Sequence, residues 1–283
     1  MPSEQKKVLI LGARGMLGTD LSAVLKMDYP LTLWDIEELD ITNKYQTISS
    51  ITNLSPHEVI NCAAYTDVDG CETNQDLALS VNGESPGYIA EACKIIDARL
   101  MHISSDYVFD GETDQDYVEE DATNPLSQYG SSKLAGEQRI VDSGCRHIIL
   151  RSQWIYGVHG KNFIDTISKL AEEKDELNVV NDQIGRPTWT VDVSNTIAAL
   201  LKTDAWGILH CAAGGVCSWF DVAKEIVDYL KIDCTVNPVP TSKFPRPAIR
   251  PARSVLDCSK LKNSFGIELP HWRDSVTNYL DSK

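Results

Sequence analysis

No uninterrupted apolar run in this chain approaches the roughly 20 residues needed to cross a bilayer. The first apolar stretch, Val8–Leu11, is short and passes straight into glycines, so the N-terminus does not read as a signal peptide. Basic residues are scarce: 26 Lys and Arg stand against 41 Asp and Glu, a formal net charge of −15. A general nucleic-acid binder needs a basic surface to neutralise phosphates, so that class is excluded. A small anion held by a few placed arginines is not. Cysteines at metal or redox spacing are missing too. The eight cysteines contain no CxxC, and Cys62 and Cys211 sit in apolar, strand-like runs. They read as small buried residues of a protein in a reducing cytoplasm. The six histidines do not cluster with cysteines, which leaves no zinc site. Thr66–Gly70 resembles the start of a calcium loop but lacks its closing glutamate.

What is present is a regular alternation. Short apolar runs (KVLILG, LTLWD, EVINCAAY, RLMHISSDYVF, RHIILRSQWIYG, WGILHCAA) alternate with amphipathic segments. Strand–helix alternation predicts an α/β fold with a doubly wound parallel sheet of Rossmann type. At 283 residues the chain is long enough to bury a core without staples. The pattern loosens after about Ser152. The expected division is a dinucleotide-binding domain over 1–150, joined by a returning strand near 207–212, and a smaller, mainly substrate-binding C-terminal domain over 151–283. Ser218 stands where a helix N-cap is expected, before SWFDVAKEIVDYL. Pro240, Pro245, Pro247 and Pro251 exclude a helix from 237–253. Because an apolar helical segment follows, that stretch is expected to be an ordered loop lining a site rather than a disordered linker.

The first strand-to-helix junction reads GARGMLG, with Gly12, Gly15 and Gly18 three apart. Glycines at such a junction permit a tight turn, close approach to a pyrophosphate and close helix–sheet packing, and the helix N-terminus offers free N–H groups. This predicts a dinucleotide site that includes Met16 and Leu17. Asp35, at the end of the second strand, suits a ribose hydroxyl and NAD, whereas Arg14 suits the 2′-phosphate of NADP. The two signals conflict, and the expectation is NADPH or NADH, by dual use or with an NADPH preference.

Tyr129 and Lys133 are one helical turn apart. A free phenol holds its proton too tightly to exchange it readily at neutral pH, and a neighbouring ammonium, together with the positive charge of an oxidised nicotinamide, is expected to lower that hold. Such a pair can give a proton to a carbonyl oxygen as hydride arrives at carbon. Upstream, Ser104 and Ser105 lie at a strand C-terminus, where ligands bind in open parallel sheets, and one of them can hold a substrate oxygen.

The glycine turn together with HISSDYVFDG, NPLSQYGSSKLAGE, RSQWIYG, NDQIGRPTWT and FPRPAIRPARSVLDCSKL resembles the extended short-chain dehydrogenase/reductase superfamily, specifically its dTDP-4-dehydrorhamnose reductase family. The likeness runs nearly end to end. It implies NAD(P)H-dependent reduction of the C4 keto group of dTDP-6-deoxy-L-lyxo-4-hexulose to dTDP-L-rhamnose. It makes Tyr129 the acid and Lys133 its partner and a ribose ligand. Ser105 takes the place of the family threonine. Trp154 falls near the sugar, with core packing as its alternative reading. Asp106, Asn162, Arg186, Thr188 and Arg253 fall in substrate-side motifs. The arginines there suit a diphosphate, with a surface salt bridge as the alternative for each. Ala63 and Ala64 let the cofactor lie close, and Tyr65 and Thr66 touch cofactor or sugar. Asp67 and Asp69 read as solvated or capping carboxylates.

Three rivals share the superfamily. The regulatory beta subunit of methionine adenosyltransferase is a similar but non-catalytic nucleotide binder; the complete Ser105, Tyr129 and Lys133 set favours an enzyme. Dehydratases and epimerases are a second class, but Tyr107 stands where a dehydratase needs glutamate after Asp106. A reductase forming 6-deoxy-L-talose differs only in the sugar face that receives hydride. No residue set demands a metal, and a homodimer is left open.

Overall fold

The computed structural model describes residues 5–283. Six strands form the central sheet: β1 (Val8–Leu11), β2 (Leu31–Trp34), β3 (Glu58–Asn61), β4 (Arg99–Ser105), β5 (His147–Ser152) and β6 (Gly207–His210). Every pair is parallel, and the order across the sheet is β2-β1-β3-β4-β5-β6. The winding reverses between β1 and β3. In an open parallel sheet, the crevice beyond the strand C-termini at such a reversal is where ligands bind.

Helices on both faces explain why the strands are apolar throughout rather than alternating. In β1, Val8 and Ile10 join one core, and Leu9 and Leu11 the other. The first core is closed by Leu17, Leu21 and Leu25 of the Met16–Leu25 helix and by Val193, Ile197 and Leu200 of the Thr190–Leu200 helix. The second is closed by Ile51, Ile89 and Ile140 from three further helices. The chain therefore returns to the sheet with the Thr190–Leu200 helix, ahead of the strand at 207–210.

A third core lies apart from these. Helices Phe163–Glu173, Trp219–Leu230 and Trp272–Asp281 pack Ile164, Ile167, Val222, Ile226, Trp272 and Tyr279 against a parallel strand pair, Glu176–Val180 with Thr235–Val239. Ser218 caps its helix as expected: it accepts from the backbone N–H of Asp221, whose carboxylate accepts from the Ser218 N–H in return. The proline-rich stretch is ordered. It begins inside the second strand of that pair, and Arg253 N–H donates to Gly111 O at 3.3 Å.

Two local departures from regular structure bear on the site. The segment SVNGESPGYIAEACKII reads as one long helix, but Leu79–Glu84 is a π turn preceding the α-helix Ser85–Ile95. In that turn Asn82 faces the Tyr65 backbone, accepting from its N–H at 2.8 Å and donating to its carbonyl at 2.9 Å. The other departure is at Trp154, where φ is +47°. A bulky residue seldom adopts this conformation. The kink ends β5 and starts the short strand Ile155–Tyr156, which pairs with Thr188–Trp189.

Candidate active site

The glycine turn sits at the reversal between β1 and β3. Gly12 has φ +70°, and a Cβ there would lie 2.6 Å from the Ala63 backbone nitrogen. A Cβ on Gly18 would lie 2.2 Å from Gly12 O. Neither position tolerates a side chain. The Met16–Leu25 helix that follows has no side-chain cap and no acidic residue in its first turn, so its N–H groups remain for an anion. These features fit a dinucleotide pyrophosphate.

Two clefts meet at this turn. One, of about 430 Å³, is lined by Gly12, Arg14, Gly15, Asp35, Ala63, Ala64 and Tyr65 among others. The second, of about 470 Å³, is lined by Met16, Leu17, Thr66, Ser105, Asp106, Tyr129, Lys133 and Trp154. Gly15, Cys62 and Ala64 border both, so the two form one path past the β1 and β3 ends.

At the outer end, Asp35 accepts the Arg14 backbone N–H at 2.8 Å. The Arg14 guanidinium bonds Glu37 at 2.5 Å and also pairs with Glu38. Arg14 is therefore held among acids, which the glycine motif alone did not reveal.

At the inner end, the Gln128–Ser143 helix is capped by Ser127 and places Tyr129 and Lys133 in its first turns. Gly130 lets this helix approach the Asp106–Val108 turn, since a Cβ there would meet Tyr107 O at 2.2 Å. Ser105 Oγ donates to Asp106 at 3.0 Å and accepts the Tyr107 N–H at 3.2 Å. Ser254 Oγ donates to the other Asp106 oxygen at 2.5 Å. Burial pushes the Asp106 carboxyl up to about 7 despite these bonds.

Lys133 corrects one expectation. Its Nζ donates to Ile103 O at 2.6 Å and lies 3.3 Å from His102 Nε2; its hydrogen bonds do not include Tyr129. Burial lowers Lys133 to about 8. The Tyr129 phenol is raised, not lowered, by burial and then by the Asp106 charge, and Ser105 offsets only part of the rise.

The substrate-side residues divide. Trp154 faces the second cleft, stacked on Trp219 with ring centroids 3.7 Å apart. A Cβ on Gly185 would come within 2.7 Å of its ring. Asn162 does not face the cleft: it caps the Phe163–Glu173 helix and its amide donates to Gly157 O and Tyr279 Oη. Thr188 is fully buried, bonding Arg186 O and the Ala213 N–H. Arg186 and Arg253 share one partner, Asp116, at 2.8 and 2.5 Å. One carboxylate balances only one of the two guanidiniums, but neither arginine lines either cleft.

A pocket of about 330 Å³ is lined by Phe163, Trp219, Phe244, Arg246 and Arg250 among others, and Trp219 joins it to the second cleft. Arg250 bonds both Asp69 oxygens at 3.0 Å, and Ala248 N–H reaches the same carboxylate at 3.2 Å. Asp69 is therefore a half-buried ion-pair partner rather than a cap, whereas Asp67 does cap its helix.

All eight cysteines are free thiols. Among the described residues no helix is long and apolar enough to cross a membrane, and no group of three or more His, Cys, Asp or Glu is placed to hold a metal ion.

The family model of the RmlD substrate binding domain matches residues 6–283. A dTDP-4-dehydrorhamnose reductase of Aggregatibacter actinomycetemcomitans is 38% identical over 286 residues, covering 96% of this chain and 97% of that protein. The crystal structure of a dTDP-4-dehydrorhamnose reductase from Clostridium acetobutylicum matches with a TM-score of 0.95 at 40% identity, over 98% of this chain and 99% of that one. The Bacillus anthracis dTDP-4-dehydrorhamnose reductase, solved in complex with NADP, also gives 0.95, at 36% identity over 99% and 100% of the two chains. This chain belongs to the dTDP-4-dehydrorhamnose reductase family.

Proposed function

We propose that this protein reduces the C4 keto group of dTDP-6-deoxy-L-lyxo-4-hexulose to give dTDP-L-rhamnose, with NADH or NADPH as reductant. The observation that carries the reading is the continuity of the two clefts. Ser105, Tyr129 and Lys133 border the same path as the glycine turn.

The dinucleotide, when bound, supplies the hydride. Gly12, Gly15, Gly18, Met16 and Leu17 hold its pyrophosphate end, Ala63, Ala64 and Tyr65 flank it, and Asp35 and Arg14 meet the outer ribose. Tyr129 gives the proton to the substrate oxygen. A raised phenol keeps its proton until the oxygen acquires charge, which suits the reducing direction. Ser105 orients that oxygen, and its own rotamer is fixed by Asp106 and the Tyr107 N–H. Lys133 balances charge as the phenol loses its proton and contacts the inner ribose.

The sugar lies against Trp154, whose indole is held by Trp219. Phe163 and Phe244 suit the thymine base, and Arg246 and Arg250 suit the diphosphate. In this reading the dinucleotide unit is residues 1–150 with 190–212, and the substrate unit comes mainly from the rest of 151–283. A complete Ser105, Tyr129 and Lys133 set argues against a non-catalytic regulatory subunit. The free thiols favour a reducing cytoplasm. Light scattering tests the homodimer.

The test is reduction of the dTDP-keto-sugar with NADH or NADPH, with the product configuration read by NMR. A rhamnosyl product supports the assignment. A 6-deoxytalosyl product moves it to the sister reductase, and no turnover with either cofactor overturns it.

A further inference from the structure

Behind Lys133 runs a line of buried polar groups that the proposed reaction leaves without a task. Nζ of Lys133 is 3.3 Å from His102 Nε2, and His102 Nδ1 is 3.1 Å from Asn61 Nδ2. Asn61 Oδ1 accepts the backbone N–H of Ala63 at 3.1 Å. Asn61 and His102 are 0% exposed and Lys133 is 2% exposed, so these contacts are settled within the protein.

The hydrogen-bond directions are fixed from one end. A backbone N–H can only donate, so Ala63 takes the amide oxygen of Asn61 and turns the NH2 toward His102. That NH2 also can only donate, so Nδ1 of His102 presents its lone pair. Burial, with Lys133 nearby, holds His102 well below the usual histidine range, and the ring is neutral. Its single proton is then on Nε2, the nitrogen facing Lys133. An ammonium there has only protons to offer, whereas an amine has a lone pair that accepts the Nε2–H and still donates to Ile103 O.

We propose that the line from Ala63 through Asn61 to His102 fixes a donating Nε2–H against Lys133 and weakens the hold of this lysine on its proton. His102 is then a positioning residue that sets the working pH of the site.

The other groups facing Lys133 do not supply this effect. Glu137, one turn along the same helix, favours the ammonium, but it is paired with Arg151 at 2.7 Å and bonded by Ser104. The Cys62 thiol is pushed up to about 12 by burial and stays neutral. The Tyr129 phenol is neutral for the same reason.

The catalytic consequence rests on the proposed role of Lys133; the tautomer is a property of the folded chain. The experiment reads both. In the labelled wild-type protein, with the His102 ring assigned through its side-chain carbons, ¹⁵N shifts at pH 7 and 9 should show Nε2 protonated and Nδ1 bare. Asn61→Asp offers carboxylate oxygens to both Ala63 and Nδ1, so His102 should switch to the Nδ1–H form. The alkaline limb of the kcat profile should then move up by about one pH unit. A wild-type His102 protonated on Nδ1 overturns the inference, as does a folded Asn61→Asp protein that switches tautomer with no movement of that limb. The predicted tautomer in a protein without reductase activity keeps the direction of the relay and overturns the functional reading instead.

Discussion

Lys133 lies one helical turn beyond Tyr129, yet its Nζ is bonded to the carbonyl oxygen of Ile103 at 2.6 Å and not to the phenol. A fully enclosed lysine held by one carbonyl is a poor source of stability. In the proposed reaction its presence there serves chemistry rather than packing.

That cost should be visible in stability. The fall of Lys133 from 10.5 to about 8 amounts to about 3 kcal/mol against the buried ammonium. A lowered folded value means the lysine's contribution is fully present above 10.5 and is lost as pH falls through about 8. Relative to Lys133→Met, the wild type should therefore gain about 3 kcal/mol between pH 7 and pH 10.5 in urea unfolding. A pH-independent difference would mean that Lys133 titrates alike in both states.

The outer ribose end bears on cofactor choice. Arg14 is the cation expected to meet a 2′-phosphate, but Glu37 and Glu38 hold it and Asp35 stands beside them. NADH should therefore have the higher kcat/KM. Glu38→Gln should raise kcat/KM for NADPH by about threefold to fivefold, with little change for NADH, and added salt should narrow the gap because these groups are exposed. An unchanged cofactor ratio in this variant would remove the acids from the discrimination.

Asp69 and Arg250 join the loop after 240 to the helix beside the cofactor path. Asp69→Asn should weaken this tie, raise KM for the sugar nucleotide by about tenfold and leave KM for NADH unaltered, since a half-buried bidentate pair contributes about 1–3 kcal/mol. Faster tryptic cleavage at Lys243, exposed in the same loop and followed by Phe244, is the accompanying structural sign. Equal rises in both KM values would point to general loosening.

The glycine turn and the Tyr129–Lys133 placement of the candidate site were legible because their requirements are local. Gly12 and Gly18 are dictated by backbone closeness within one turn, and Tyr129 and Lys133 by a single helical turn. The strand alternation was legible because both sheet faces are covered. The substrate side was not, because the availability of an arginine depends on which carboxylate the fold delivers. Asp116 comes to Arg186 from 70 positions away and to Arg253 from 137, and Asp69 reaches Arg250 across 181. Asn162 and Thr188 sit in matching motifs yet serve a helix cap and a strand junction. Phe163, Trp219 and Phe244 line the adjoining pocket, and apolar patterning reads such residues only as core. The π turn at Leu79–Glu84 had no sequence mark, since its side-chain partner is the distant backbone of Tyr65.

The most direct measurement compares wild-type and Tyr129→Phe proteins in single-turnover reduction of the dTDP-keto-sugar, alongside cofactor binding by fluorescence. Removing the proton donor should slow reduction by about 10²–10⁴-fold while the dinucleotide affinity stays within about twofold. Reduction by Tyr129→Phe at the wild-type rate would contradict the account at its centre.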